Sequence, residues 1–187
     1  MRTLITLFVM SVAAAACRPE QIVLNPDKNK RQAGVPDVQR DVSNQDAPGG
    51  TVQSGKGDPV DLASLWQDKR VIVVFYHGHW CPNCQQELGE INEHLREIDA
   101  VVIAISSDES ADAKALHDKL GLSFELYADP SLQTIAKWGV EDYGANIAQS
   151  ATFIVEPGGK ISYRKVGEKK TDHPSIDELV AATKQKS

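Results

Sequence analysis

Residues 71–84 read V-I-V-V-F-Y-H-G-H-W-C-P-N-C. Val71 to Tyr76 is an unbroken run of β-branched and aromatic side chains, the pattern of a strand buried on both faces. Two histidines and two cysteines follow, and Pro82 suits the first position of a helix, where a missing N–H costs nothing. From Pro82 to Ile98 the residues Leu88, Ile91, Leu95 and Ile98 recur at helical spacing and form one apolar face. A strand thus feeds a helix through a short polar loop. Sulfur and imidazole in that loop point to a redox dithiol, a peroxidase site or a metal clamp.

The flanking segments extend the alternation. Ala100–Ser106 is a second buried strand. Ser110–Leu120 carries Ala111, Ala115, Leu116 and Leu120 at helical spacing, with Gly121 as a stop. Phe124–Tyr127 is a short strand, and Pro130–Trp138 a helix opened by Asp129 as its cap. Ala151–Val155 and Ile161–Val166 pair across Pro157-Gly158-Gly159. A short helical turn over Asp61–Trp66 precedes the first strand, and a last helix runs from Pro174 to about Lys184. The predicted class is α/β, with a central mixed sheet flanked by helices. A chain of 187 residues with 41% hydrophobic content supports one such domain with segments left over. The net charge of -6 argues against nucleic acid, which needs clustered Lys and Arg, and leaves proteins or small molecules as partners.

Only three cysteines occur, so the chain is not a disulfide-stapled miniature. The first lies behind a short positive start, an apolar run over Leu4–Val12 and the small residues Ala13–Ala16. Residues 1–16 are therefore predicted to be a secretory signal, the run being too short for a mature span of about 20 residues. Ala14–Cys17, A-A-A-C, resembles the lipobox of bacterial lipoproteins. That resemblance implies a lipidated Cys17 and an anchored envelope protein facing the periplasm or extracytoplasmic space; Arg18 stands where the inner-membrane retention signal has Asp. Arg18–Asp58 is polar, rich in Pro and Gly and without period. It is expected to stay unfolded, with residues 17–50 as a lipidated tether spanning roughly 35 Å and residues 51–187 as the domain.

At the start of a helix, free N–H groups and the helix dipole favour a thiolate. Cys81, taken as the more exposed sulfur, is expected to attack, and Cys84, nearer the core, to resolve by closing a disulfide. Glu87, one turn beyond Cys84, is a candidate proton relay. Trp80 shields the dithiol and shapes a contact surface. His77, His79, Cys81 and Cys84 together form a ligand set that Cu(I) or Zn(II) accepts. Trp138 and Tyr143 are expected in the core or at its rim. Asp108-Glu109 and Lys169-Lys170 are expected to be solvated, His117 on the surface, and His173 in the loop leading into the last helix.

W-C-P-N-C after a Val/Phe strand resembles the W-C-x-x-C of thioredoxins. F-Y-H-G-H-W-C-P-N-C-Q-Q-E-L, A-D-P-S-L-Q-T-I-A-K-W-G-V, S-A-T-F-I-V-E-P-G-G-K-I and D-H-P-S-I-D-E-L are similar to segments of the peroxiredoxin-like, AhpC/TSA-type redoxins over Thr51–Lys184. The resemblance implies a thioredoxin-like fold and thiol chemistry without a cofactor. In the family pattern Cys84 takes the place of the peroxidatic sulfur, His77 that of a Pro and Cys81 that of a Thr. Ser150 stands where peroxiredoxins carry an Arg and thioredoxins a cis-Pro. These departures put disulfide exchange with a protein partner first among the expected functions. A thiol peroxidase acting on peroxides is second, a Cu(I)/Zn chaperone third, and a redox-inert docking lipoprotein last.

Overall fold

The computed structural model describes residues 45–169 and 171–184. The signal sequence, Cys17 and the tether up to residue 44 lie outside the described residues.

β3 (Val71–Phe75) is fully buried, as its composition demands. It pairs in parallel with β4 (Val101–Ser106) and antiparallel with β8 (Ala151–Val155). β5 (Glu125–Ala128) continues the parallel side, and β9 (Ile161–Val166) closes the other through the expected hairpin. A further hairpin, β1 (Thr51–Gln53) with β2 (Pro59–Asp61), joins through β1 to β5, so the seven-stranded order is β2-β1-β5-β4-β3-β8-β9. The sheet is mixed, as predicted. Alternation along β3 divides the core in two. Val71, Val73 and Phe75 face Trp66, Trp138 and Phe153, whose rings meet edge to face at 4.9 to 6.0 Å. Ile72, Val74 and Tyr76 face α1 (Pro82–Glu93), α2 (Ser110–Leu120) and α4 (Ile176–Lys184) through Leu88, Ile91, Leu116 and Leu179.

Several segments depart from the sequence expectation. α1 stops at Glu93 and passes into a 3-10 turn over Leu95–Glu97, which still delivers Ile98 to the core. On α2 the buried residues are Ala113 and Leu116, while Ala111 and Ala115 face solvent, because alanine is too small to decide which face turns inward. α3 (Gln133–Lys137) begins late because Leu132 adopts a left-handed φ of 59°. Asp129 still caps it at a distance: its Oδ2 accepts from the N–H groups of Thr134 (2.8 Å) and Ile135 (2.9 Å). Residues 45–50, expected in the loose tether, run along the β8–β9 hairpin. Ala47 N–H donates to the Gly159 carbonyl, Ile161 N–H to that of Gln45, and the Trp138 indole to that of Gly49. A small hairpin of β6 (Glu141–Asp142) and β7 (Ile147–Ala148) carries Tyr143 into solvent instead of the core or its rim.

Asp129 is almost fully buried and satisfies two buried N–H groups, so Asp129→Ala is expected to cost about 2 kcal/mol. Equilibrium urea denaturation measures it; an unchanged midpoint with unchanged slope contradicts the capping role.

Candidate active site

Beyond β3 the chain stays sheet-bonded for one more residue, Tyr76 N–H donating to the Ile105 carbonyl at 3.0 Å, and then crosses to α1. Gly78 makes that crossing possible. A Cβ there would lie 3.0 Å from Asp108 Oδ1 and 2.6 Å from the Trp80 indole nitrogen. The Gly78 carbonyl accepts from Cys81 N–H at 3.1 Å, which places Cys81 as the N-cap of α1 in extended conformation, with Pro82 next. Cys84 N–H then donates to Cys81 Sγ at 3.4 Å. The cysteine does for this helix what Ser or Asp usually does, so its sulfur is fixed by backbone bonding as well as by packing.

Both thiols are free and both are buried, Cys81 at 3% exposure and Cys84 at 2%. The expectation that Cys81 is the more exposed sulfur therefore fails, since both residues are almost fully buried. Cys84 is the sulfur expected to resolve. Burial pushes its thiol up to about 12, helped by its hydrogen bond to Cys81 and by negative charge at Cys81 and Glu87, against a main-chain bond from His77. Cys84 is thus held as the thiol, while Cys81 Sγ accepts the Cys84 backbone N–H.

The histidines separate. His77, expected in a loop, is buried, with Nδ1 3.4 Å from Cys84 Sγ. His77, Cys81 and Cys84 each bring a ligand atom to within 4.8 Å of the others. His79 is not part of this group. Its Nδ1 meets Asp108 Oδ1 at 2.8 Å and its backbone N–H donates to Asp108 Oδ2 at 2.7 Å. Asp108, expected to be solvated, is buried at the end of β4 and also accepts from Ser106 Oγ at 2.8 Å. Gln85 locks the loop from the other side, its amide donating to the His79 carbonyl at 2.7 Å.

Glu87, read as a partly exposed helix residue, is buried beside Cys84, and desolvation raises its carboxyl to about 7 against the opposing charge of His173. Ser150 is buried just before Ala151, which pairs with Phe75, so it lies across the sheet from the strand end that launches the dithiol loop. Trp80 is 50% exposed next to Cys81 and gives the site an apolar rim rather than a shield. Sequence reasoning missed Ser106 and Asp108 as parts of the site. The signal was their position at the C-terminal end of a strand parallel to β3, where open α/β sheets place their sites.

The AhpC/TSA family model matches residues 43–164. The chain belongs to the AhpC/TSA family. Alkyl hydroperoxide reductase E of Mycobacterium bovis is 29% identical over 145 residues, covering 73% of this chain and 95% of that one. Chloroplastic peroxiredoxin Q of Sedum lineare is 29% identical over 115 residues, 59% of this chain and 61% of its own. Among solved structures, AhpC of Enterococcus faecalis superposes with a TM-score of 0.66 at 27% identity, over 76% of this chain and 90% of that one. The peroxiredoxin-like protein of Aquifex aeolicus, at 21% identity, TM-score 0.68 and coverage of 75% and 84%, shares the fold. This AhpC/TSA protein is thus an oxidoreductase of the antioxidant type, acting on disulfides or peroxides.

Glu87 makes folding stability depend on pH. Below about pH 4.3 its carboxyl is protonated in the folded and unfolded chains alike, and stability is full. As pH rises to 7 only the unfolded chain has released the proton, so wild-type stability falls, by on the order of 3 kcal/mol. Glu87→Gln is expected to flatten this slope in urea denaturation at several pH values, its advantage over wild type growing from pH 4 to 8; parallel curves for the two proteins exclude a buried, neutral Glu87.

Proposed function

We propose that this protein reduces peroxides, with Cys81 and Cys84 as its electron-carrying dithiol. The observation that carries the reading is a pair of free, buried cysteines joined across the first turn of α1. Cys84 is held as a thiol by burial, and its backbone N–H donates to Cys81 Sγ in the first turn of α1. Cys81 supplies the attacking sulfur. It attacks one peroxide oxygen, the O–O bond breaks, and the leaving oxygen departs as an alcohol or water after taking a proton. Cys81 is left as a sulfenic acid. Cys84 attacks that sulfur, water leaves, and a disulfide closes between residues three apart. A carboxyl that titrates at about 7 is a matched acceptor for the proton Cys84 must lose, and Glu87 is the one beside it. A dithiol partner returns two electrons and restores both thiols. The half-exposed Trp80 gives that partner an apolar contact next to the disulfide.

The names of the relatives support peroxide over the disulfide exchange that the C-x-x-C spacing put first. Assigning the attack to Cys81 rather than to Cys84, which holds the family's peroxidatic place, is supported by the raised Cys84 thiol. In the same reading, Cys17 carries a lipid and the domain works outside the cytoplasm. Support for this comes from the N-terminal sequence, and Cys17→Ser is expected to move the protein from the membrane to the soluble fraction on cell fractionation.

Rapid mixing with hydrogen peroxide, followed by Trp80 fluorescence and sulfenic-acid trapping, tests the chemistry. Wild type is expected to end as an intramolecular disulfide. Cys84→Ser should stop at a trappable sulfenic acid on Cys81 after one turnover, and Cys81→Ser should lose at least about a hundredfold in rate. Sulfenic acid forming on Cys84 in Cys81→Ser at the wild-type rate reverses the two roles. No reaction of the reduced wild type with peroxide rejects the activity.

A further inference from the structure

We propose that the reduced site binds Cu(I) in a three-coordinate site made by His77 Nδ1, Cys81 Sγ and Cys84 Sγ, and that oxidation of the two sulfurs releases the ion. The three atoms already lie within 4.8 Å of one another, with His77 Nδ1 3.4 Å from Cys84 Sγ. With metal–sulfur bonds of about 2.3 Å and a metal–nitrogen bond of about 2.0 Å, a planar three-coordinate ion separates its ligand atoms by roughly 3.8 to 4.0 Å. Shifts of at most about an ångström would therefore bring the ligands to bonding distance.

The donor set selects the ion. Two thiolates and an imidazole are soft ligands, which favour Cu(I) and Zn(II) over oxygen-loving cations. Zn(II) in a protein takes four ligands, and among the described residues no carboxylate joins the group. The second histidine of the loop is turned away, its Nδ1 held by Asp108. All three ligands are buried, which leaves little room for a water as fourth ligand. Cu(I) is satisfied by three. Binding displaces the thiol protons to solvent and leaves a net single negative charge, which the positive end of α1 offsets. The same sulfurs cannot hold an ion and share a disulfide bond, so a two-electron oxidant that joins Cys81 to Cys84 must expel it. The inference needs only the reduced sulfurs and His77, and stands whether or not peroxide is the substrate.

The test is an anaerobic competition between the reduced full-length protein and a chromophoric Cu(I) chelator, with X-ray absorption on the loaded protein. Equimolar withdrawal of Cu(I), with two sulfur and one nitrogen neighbours, is expected. Affinity should drop at least about tenfold in His77→Ala and further in Cys84→Ser, stay at the wild-type value in His79→Ala, and vanish in the disulfide form. Circular dichroism of each variant shows whether it is folded, and a folded Cys84→Ser stands in if His77→Ala is not. The proposal is overturned if the reduced protein withdraws no Cu(I), if His77→Ala binds as tightly as wild type, if His79→Ala weakens binding as much as His77→Ala does, or if the disulfide form binds equally well.

Discussion

The central strand is hydrogen-bonded on both edges and covered on both faces, and that single constraint fixes where chemistry can occur. Between β4 and β8 the strand Val71–Phe75 is wholly apolar and buried, and a buried polar group without a partner costs several kcal/mol. Reactive groups can gather only where the strand ends. Each of its side chains contributes about 1.5–3 kcal/mol of burial, divided between an aromatic cluster on one face and three helices on the other. The stiffness of that frame lets a loop of four residues, His77 to Trp80, hold two thiols in a fixed relation to the sheet.

The loop is held by polar bonds that converge on one carboxylate. Asp108 reaches from the end of β4 and accepts from the backbone of His79 and the hydroxyl of Ser106, while its other oxygen meets the His79 ring. The parallel pairing of β3 with β4 makes this geometry possible, because both strands end at the same level. Cys81 then takes over as helix cap, so the bonding that begins α1 also aims its sulfur. Burial differentiates the two cysteines: Cys84 stays protonated, and the neighbouring Glu87 titrates near neutrality. The surroundings thereby hold one of two like thiols protonated.

Where peroxiredoxins carry an Arg, this chain has the buried Ser150, and where they carry a Pro it has His77. The first leaves a neutral hydroxyl at that place; the second puts an imidazole nitrogen 3.4 Å from Cys84 Sγ. Both changes move the site from an anion-stabilising pocket towards a soft donor cluster. In the proposed readings, thiol chemistry and Cu(I) binding are alternative uses of the same three atoms, divided by oxidation state.

Strong periodic segments were legible in the sequence. The apolar run Val71–Tyr76, the face of α1, the Gly121 stop and the Pro157-Gly158-Gly159 turn each follow from local sterics and patterning, and with them the α/β class and the position of the dithiol at a helix start. The short hairpins β1–β2 and β6–β7 carried no such pattern, because two or three residues per strand make no period. Nor could charge type alone tell a buried Asp108 or Glu87 from a solvated one. The residues of the site, Cys81, Pro82, Cys84, His77, His79 and Glu87, were all visible as chemistry in one stretch of eleven. Their division of labour was not. Which histidine meets sulfur and which meets a carboxylate, and which cysteine keeps its proton, depends on groups from β4 and on burial under the loop. Those are distances across the fold, and a linear sequence specifies them only through the packing of the whole domain.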